Sequence, residues 1–281
     1  MKKNILFIGY GSISRKHISN LNNNKKFKIF LISNHQKKLS GINIIDRKEA
    51  KKLNFLYCFI CNSSNLRLET LKILRERCKF FFLEKPISNN YKKARLFFKD
   101  KKNLSFKKNI YVGYVFQHHK LINYLKNILK KIKNEDILNI QIISKTYLPD
   151  WRKNIPYQLS VSANKKKGGG VLLELSHEIN LLIYFFGLNK IKILFSKFYN
   201  SKKLNIDVEE YANIICRINT KTICNILLDF NCLKAERRLI INAKNKNYDL
   251  DLNKNILKIK DIKKTIIIKS KNEKKKMFKN Q

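Results

Sequence analysis

A short apolar run, Ile5-Leu6-Phe7-Ile8, ends in Gly9; a second glycine follows at Gly11, and Ser14 stands where a third glycine is common. Ile13, Ile18 and Leu21 then recur at helical spacing. The pattern predicts a buried strand, a tight turn and a helix start, the arrangement that holds a dinucleotide pyrophosphate. Gly9 permits the sharp turn, and Gly11 lets the backbone come close to phosphate. Ser12 and Ile13 open the helix, where N–H groups and a partial positive charge face the anion. A strand–helix turn with no ligand is the alternative.

Four further places hold residues able to do chemistry. Phe82-Leu83-Glu84-Lys85-Pro86 puts Lys85 at the carboxyl end of an expected strand, where ligands gather in an open parallel sheet; Pro86 keeps Lys85 out of helical geometry. His177 lies on an expected helix from Leu172 to Phe186, with Glu174 three residues earlier on the same face. It is either a proton carrier or a histidine satisfied in the core. Trp151, the sole tryptophan, either lines a pocket or packs. The expected second strand ends in Ile32-Ser33-Asn34-His35, with Lys37 and Lys38 next. An acid that would hold a ribose 2′-OH is missing there, and hydroxyl, amide and cations suit a 2′-phosphate, so NADP is favoured slightly over NAD.

These residues need a scaffold. Strand-like runs Ile5–Ile8, Phe27–Ile32, Ile42–Ile45, Phe55–Ile60, Phe80–Leu83 and Ile110–Gly113 alternate with helical stretches, including Ser12–Asn22, Asp46–Leu53, Leu66–Cys78 and Tyr91–Phe98. Alternation of this kind predicts an α/β Rossmann domain with a doubly wound parallel sheet over residues 1–118. From 119 to 281 the pattern changes. Helices Leu121–Ile132 and Leu172–Phe186 are followed by consecutive strands, predicting an α+β domain with an open, mostly antiparallel sheet. The lysine-rich segment Ser270–Gln281 is expected to fray.

Lysine and arginine total 61 against 20 acids, a net charge of +41. The excess is mostly lysine, spread along the chain, beside abundant asparagine and isoleucine. That pattern fits an AT-rich coding bias better than a dedicated nucleic-acid surface, so neither specific nucleic acid nor a membrane is an expected partner. No apolar stretch approaches the ~20 residues that span a bilayer, and a cytoplasmic protein is expected. Cys58 and Cys61 have C-x-x-C spacing but fall within one expected strand, where residues three apart face opposite sides. Buried reduced thiols are the reading, with no metal.

Gly9-Tyr10-Gly11-Ser12-Ile13-Ser14, Glu84-Lys85-Pro86, Val112-Gly113-Tyr114 and the run Gly168-Gly169-Gly170 to Ser176-His177 occur in one order and spacing. In this the chain resembles the glucose-fructose oxidoreductase / inositol dehydrogenase (Gfo/Idh/MocA) family of nicotinamide-dependent enzymes. The resemblance implies a hydride transfer between NAD or NADP and a hydroxyl or keto group of a sugar, cyclitol or sugar nucleotide. Lys85 would hydrogen-bond the reacting oxygen and His177 would take the hydroxyl proton. Gly9, Gly11, Ser12, Ile13, Ser33, Asn34, Asn62, Glu84 and Lys85 would bind cofactor; Tyr114, Trp151 and Glu174 would face substrate. It also implies a homo-oligomer formed through the sheet of the second domain. Tyr147-Leu148-Pro149-Asp150-Trp151 is similar to a subgroup concerned with cell-surface sugars. Departures are plain. The acid before His177 is a glutamate at three residues rather than an aspartate at four, and Arg67 stands where histidine is usual. The chain also ends soon after its last expected strand, consistent with a shortened C-terminus. The rival readings are a cofactor-binding regulatory protein with a decayed site and a polyanion-binding protein.

Overall fold

Parallel strands buried on both faces read as continuous apolar runs, and the inner strands of the first, six-stranded sheet carry such runs. The structure, a computed structural model, describes all residues except 1, 23, 35–37 and 152–154, and only the backbone of Leu104, Asn134 and Lys274. The elements in order are β1 (Lys3–Ile8), α1 (Ser12–Leu21), β2 (Phe27–Ile32), β3 (Ile42–Ile44), α2 (Arg47–Ala50), β4 (Phe55–Ile60), α3 (Arg67–Leu74), β5 (Cys78–Glu84), α4 (Tyr91–Lys99), α5 (Lys101–Lys107) and β6 (Ile110–Gly113). The strand order is β3-β2-β1-β4-β5-β6, and every pair is parallel. This is the doubly wound Rossmann arrangement expected from the sequence. Leu6, Ile8, Cys58, Ile60, Phe81 and Leu83 fill one face. Ile5, Phe7, Ile29 and Leu31 fill the other, under Ile18 of α1. One helix was not expected: Asp100 ends α4 and, through its side chain on the Lys102 N–H, caps α5.

The second unit comprises Val115–Lys165 and Gly169–Asn280; the first runs to Tyr114 and includes Lys166–Gly168 and Gln281. The elements of the second are α6 (Lys120–Leu129), β7 (Ile137–Tyr147), α7 (Val171–Glu174), α8 (Ser176–Phe186), β8 (Ile191–Tyr199), β9 (Tyr211–Ile218), β10 (Thr222–Asp229), β11 (Asn231–Ala243), β12 (Asn247–Asp251), β13 (Ile256–Lys260), β14 (Thr265–Lys269) and α9 (Glu273–Asn280). The sheet order is β14-β13-β12-β11-β7-β10-β9-β8, antiparallel except for β7 beside β10. One face is core. Leu121, Ile122 and Leu125 of α6 and Leu181 and Leu182 of α8 share a cluster with Ile140, Ile142, Ile226, Leu239 and Ile241. β9 shows the resulting period of two, with Ala212, Ile214, Cys216 and Ile218 buried and their neighbours half-buried.

Three expectations are corrected. The helix expected from Leu172 to Phe186 is two helices, broken at Leu175 (φ −97°, ψ 27°). β11 begins seven residues before the expected Arg238, crossing a register shift between Asn231 and Glu236 that an alternation pattern does not reveal. The lysine-rich tail is not frayed: Glu273 (2% exposed) and Met277 (6% exposed) anchor α9 from below its basic face. Glu273 accepts from the Lys120 N–H at 3.0 Å and from Ser270, giving the helix a buried polar foothold. Among the described residues no helix is long and apolar enough to cross a membrane.

Glu273 also lies 3.9 Å from His119 Nδ1. His119 is 1% exposed and caps α6, its Nδ1 accepting from the Leu121 N–H at 3.1 Å. The proton therefore sits on Nε2, which donates to Asn255 Oδ1 at 3.1 Å. Burial pulls the pKa of His119 down, against the opposing pull of Asn255 and Glu273. A folded-state pKa below the unfolded value of about 6.5 means that the unfolded chain binds the extra proton first. Stability from neutral His119 is thus complete above about pH 6.5 and is lost as the pH falls below it toward the folded-state pKa. Thermal melts from pH 7.5 to 5 should show a shallower decline for His119→Gln than for the unmodified chain; equal slopes would remove His119 from the acid response.

Candidate functional site

The carboxyl end of β1 lies where the winding reverses, between β2 on one side and β4 on the other, the place where open α/β sheets form a crevice. Gly9 turns there with φ +88°, and a Cβ on it would stand 3.2 Å from the Asn62 nitrogen in the turn after β4. Gly11 differs. Its backbone is extended (φ −76°), and a Cβ would meet no described atom within 4 Å. The space over Gly11 is open to a group that needs backbone contact. Behind it α1 starts with Ser12 and Ile13, with no side-chain cap and no acid in its first turn. Such a helix end favours an anion. Asn62 Nδ2 donates to Thr70 Oγ1 at 3.0 Å, while its buried Oδ1 finds no donor in the described protein. These features fit a dinucleotide pyrophosphate at this end of the sheet. Ser33 and Asn34 follow β2 at the same end; His35 and Lys37 lie outside the described residues.

Beneath the turn is a buried polar cluster. Glu84, the last residue of β5, is 8% exposed and pairs with His17 Nε2 of α1 at 3.0 Å. Its carboxylate is therefore directed into the unit. Arg67, the first residue of α3, is 7% exposed. Its Nε donates to the Asn62 carbonyl at 3.0 Å, and its Nη1 donates to the Glu84 carbonyl at 2.6 Å and to the Pro86 carbonyl. Lys85 sits between those last two residues, and the Lys85–Pro86 peptide is cis. Cys61 lies against Ser14, Glu84 and Arg67; burial pushes its thiol well up, the Glu84 charge adds to this, and Arg67 and Ser14 oppose it. Cys58 packs instead beside Cys78, also raised chiefly by burial. All six cysteines are free thiols. Among the described residues, no group of three or more His, Cys, Asp or Glu side chains could hold a metal ion.

His177 belongs to the second unit, in the first turn of α8. Its ring packs against Phe116, centroids 4.9 Å apart, and the Arg237 guanidinium lies 5.0 Å from the same Phe116 ring. Arg237 Nε is 2.8 Å from Glu178, whose side chain is 1% exposed, and donates to Ser144 Oγ at 3.2 Å. The residue after His177 thus moors α8 to β11 by an ion pair, and Arg237 hydrogen-bonds on to β7. The break at Leu175 places Glu174 at the end of α7, so it does not share one continuous helix face with His177. The glycine run before α7 has a packing cause at Gly170 (φ +108°), where a Cβ would fall 2.3 Å from Glu209 Oε1. Glu209 accepts from the Leu172 N–H at 3.2 Å and, through its carbonyl, from Val171 at 3.0 Å. Burial raises its carboxyl pKa, opposed by hydrogen bonds from its own N–H and the Leu172 N–H and by Lys165. Trp151 donates from Nε1 to Thr146 Oγ1 at 2.7 Å and sets its ring edge-on to Phe230, remaining 37% exposed. Tyr114 ends the first unit just after β6 and is half-buried.

Sequence reading passed over His17, Glu178, Glu209 and Arg237. A signal existed for His17, which shares the buried face of α1 with Ser14 and Ile18. None existed for Arg237, whose partner is 59 residues away in sequence and reached only because α8 packs on the sheet that holds β11.

No family model and no curated protein matches the sequence. The fold, in contrast, recurs among solved structures. A dehydrogenase from Clostridium difficile is similar with a TM-score of 0.75 and 18% identity, over 100% of this chain and 88% of that one. A 3-ketoreductase from Actinomadura kijaniata in complex with NADP and TDP-benzene gives 0.81 and 12%, over 100% and 88%. An inositol dehydrogenase homologue complexed with NAD+ from Azotobacter vinelandii gives 0.76 and 10%, over 96% and 76%. At such identities the likeness establishes the architecture: a Rossmann sheet followed by a large open sheet.

The two turn glycines should separate in their effects. Gly9→Ala forces a positive φ on a side chain against backbone and should cost about 1–3 kcal/mol in denaturant titration. Gly11→Ala has room and a permitted backbone, so stability should stay within about 1 kcal/mol of the parent. Its methyl would enter the space proposed for phosphate, and NADPH affinity by fluorescence titration should fall about tenfold or more. Undiminished affinity in Gly11→Ala would remove the pyrophosphate from this turn.

Proposed function

We propose that this chain, built on the architecture of those dehydrogenases and reductases, is an NAD(P)-dependent oxidoreductase acting on a hydroxyl or keto group of a sugar, cyclitol or sugar nucleotide. One observation supports this above the others: the open space over Gly11 at the uncapped start of α1, at the reversal point of a six-stranded parallel sheet. Gly9, Gly11, Ser12 and Ile13 would hold the pyrophosphate, with Asn62 alongside. Ser33 and Asn34 would meet the adenosine ribose, and the absence of an acid there favours NADP slightly. When bound, the nicotinamide supplies the hydride acceptor or donor.

The protein's part is electrostatic and geometric. Lys85 would donate a hydrogen bond to the reacting oxygen and stabilise the negative charge that develops on it. His177 would accept the hydroxyl proton during oxidation and return it during reduction, as an imidazole titrating near neutrality can. Tyr114, Trp151 and Glu174 would contact substrate. The open face of the second sheet carries exposed Leu138 and Ile223 and half-buried Ile143, Ile215 and Leu227, a surface suited to a second copy of the chain. A cofactor-binding protein without turnover is the second reading; the helix break separating Glu174 from His177 favours it.

Thermal-shift measurements with NAD, NADP and their reduced forms should raise the melting temperature for at least one. A panel of sugars, cyclitols and sugar nucleotides should then reveal turnover. Lys85→Ala and His177→Ala should each lower kcat by about 10²-fold or more with melting temperature nearly unchanged. Parent-like turnover in either variant would reject its role, and binding without turnover across the panel would favour the second reading. Light scattering at high salt should show an oligomer; a monomer would reject the sheet face as an interface.

A further inference from the structure

Arg67 is oddly placed for a residue of merely local use. It is the first residue of α3, where the helix dipole disfavours a cation, and it is 7% exposed. Burying a guanidinium is costly unless its donors are satisfied. Here three donor contacts go to main-chain carbonyls, of Asn62, Glu84 and Pro86. Two of those carbonyls belong to the residues immediately before and after Lys85. The third belongs to the turn whose nitrogen lies 3.2 Å from a Cβ position on Gly9. A single planar, permanently charged group therefore ties together the strand-end turns after β4 and β5. From the other side His17 fixes the Glu84 side chain at 3.0 Å.

We propose that Arg67 is a positioning residue for Lys85, locking the backbone on both sides of it and holding the Asn62 turn in register with it. This deepens the oxidoreductase reading and rests on it for the role of Lys85. The chemistry demands arginine. A lysine is a point charge on a flexible stem and cannot present a rigid fork to three carbonyls, and a histidine has at most two donors. The clamp also works at any pH at which the protein is folded, because the guanidinium does not deprotonate.

The test uses the full-length protein and the variants Arg67→Lys and Arg67→Gln. Amide hydrogen exchange, which needs neither cofactor nor substrate, should speed up about tenfold or more in the turns at 62–66 and 84–88 together, leaving β1 and β10 at parental rates. Exchange unchanged in both turns, or raised in only one, would overturn the proposal; a variant that melts globally is replaced by the other. Turnover is then measured per NADPH-binding site, counted by fluorescence titration, so that loss of folded protein does not enter. With the substrate found in the panel, kcat per site should fall about 10²-fold in Arg67→Lys, the scale of a displacement near 1 Å at a reacting group. A kcat per site equal to that of the parent would reduce Arg67 to a stability residue and overturn the proposal. If the parent itself turns over nothing, the oxidoreductase reading fails, while coupled exchange of the two turns still decides whether the clamp exists.

Discussion

A parallel sheet wound in both directions must part its connections at one point, and in this chain the parting falls beside β1. The strands there are buried on both faces, so the polypeptide can leave the sheet only at their ends. At the end of β1 the backbone turns within van der Waals distance of the next strand-end turn, which Gly9 allows and a side chain would not. The start of α1, the Asn62 turn and the Lys85 turn are arranged around that close approach.

Support for these turns is electrostatic and lies underneath them. Glu84, His17 and Arg67 are buried together, with half-buried Cys61 against them, in a region that would otherwise be apolar. Such groups are tolerated only when each has a partner. The pairings found here run from side chain to side chain for Glu84 and His17, and from guanidinium to main chain for Arg67. The second unit follows the same logic at a different place. Glu178, buried one residue past His177, is matched by Arg237, and Glu209 is matched by the main-chain N–H groups of Val171 and Leu172 through its carbonyl and carboxylate. In each unit a buried acid stands next in sequence to the residue proposed for chemistry, Glu84 before Lys85 and Glu178 after His177.

The net charge of +41 adds little to this picture. Lysines lie mainly on exposed positions around both sheets. The tail shows how a basic stretch can still be ordered. One buried glutamate and one buried methionine are enough to dock α9, because an amphipathic helix needs only its inner face to match.

Period and punctuation in the sequence determined both sheets, the glycine turn, the strand-end position of Lys85 and the helical position of His177. The reason is that local burial imposes a repeat of two or of 3.6 residues, and glycine or proline marks where the repeat must stop. The break at Leu175, the bulged start of β11 and the ordered tail were beyond that reach, since each depends on packing against residues distant in the chain. The partners of charged residues were hidden for the same cause. Arg67 was an arginine after a polar turn until three carbonyls converged on it, and Arg237 was one basic residue among 61 until the packing of α8 on the sheet set it beside Glu178. A sequence specifies which groups are polar; only the folded chain decides which of them must share a buried place and therefore bind one another.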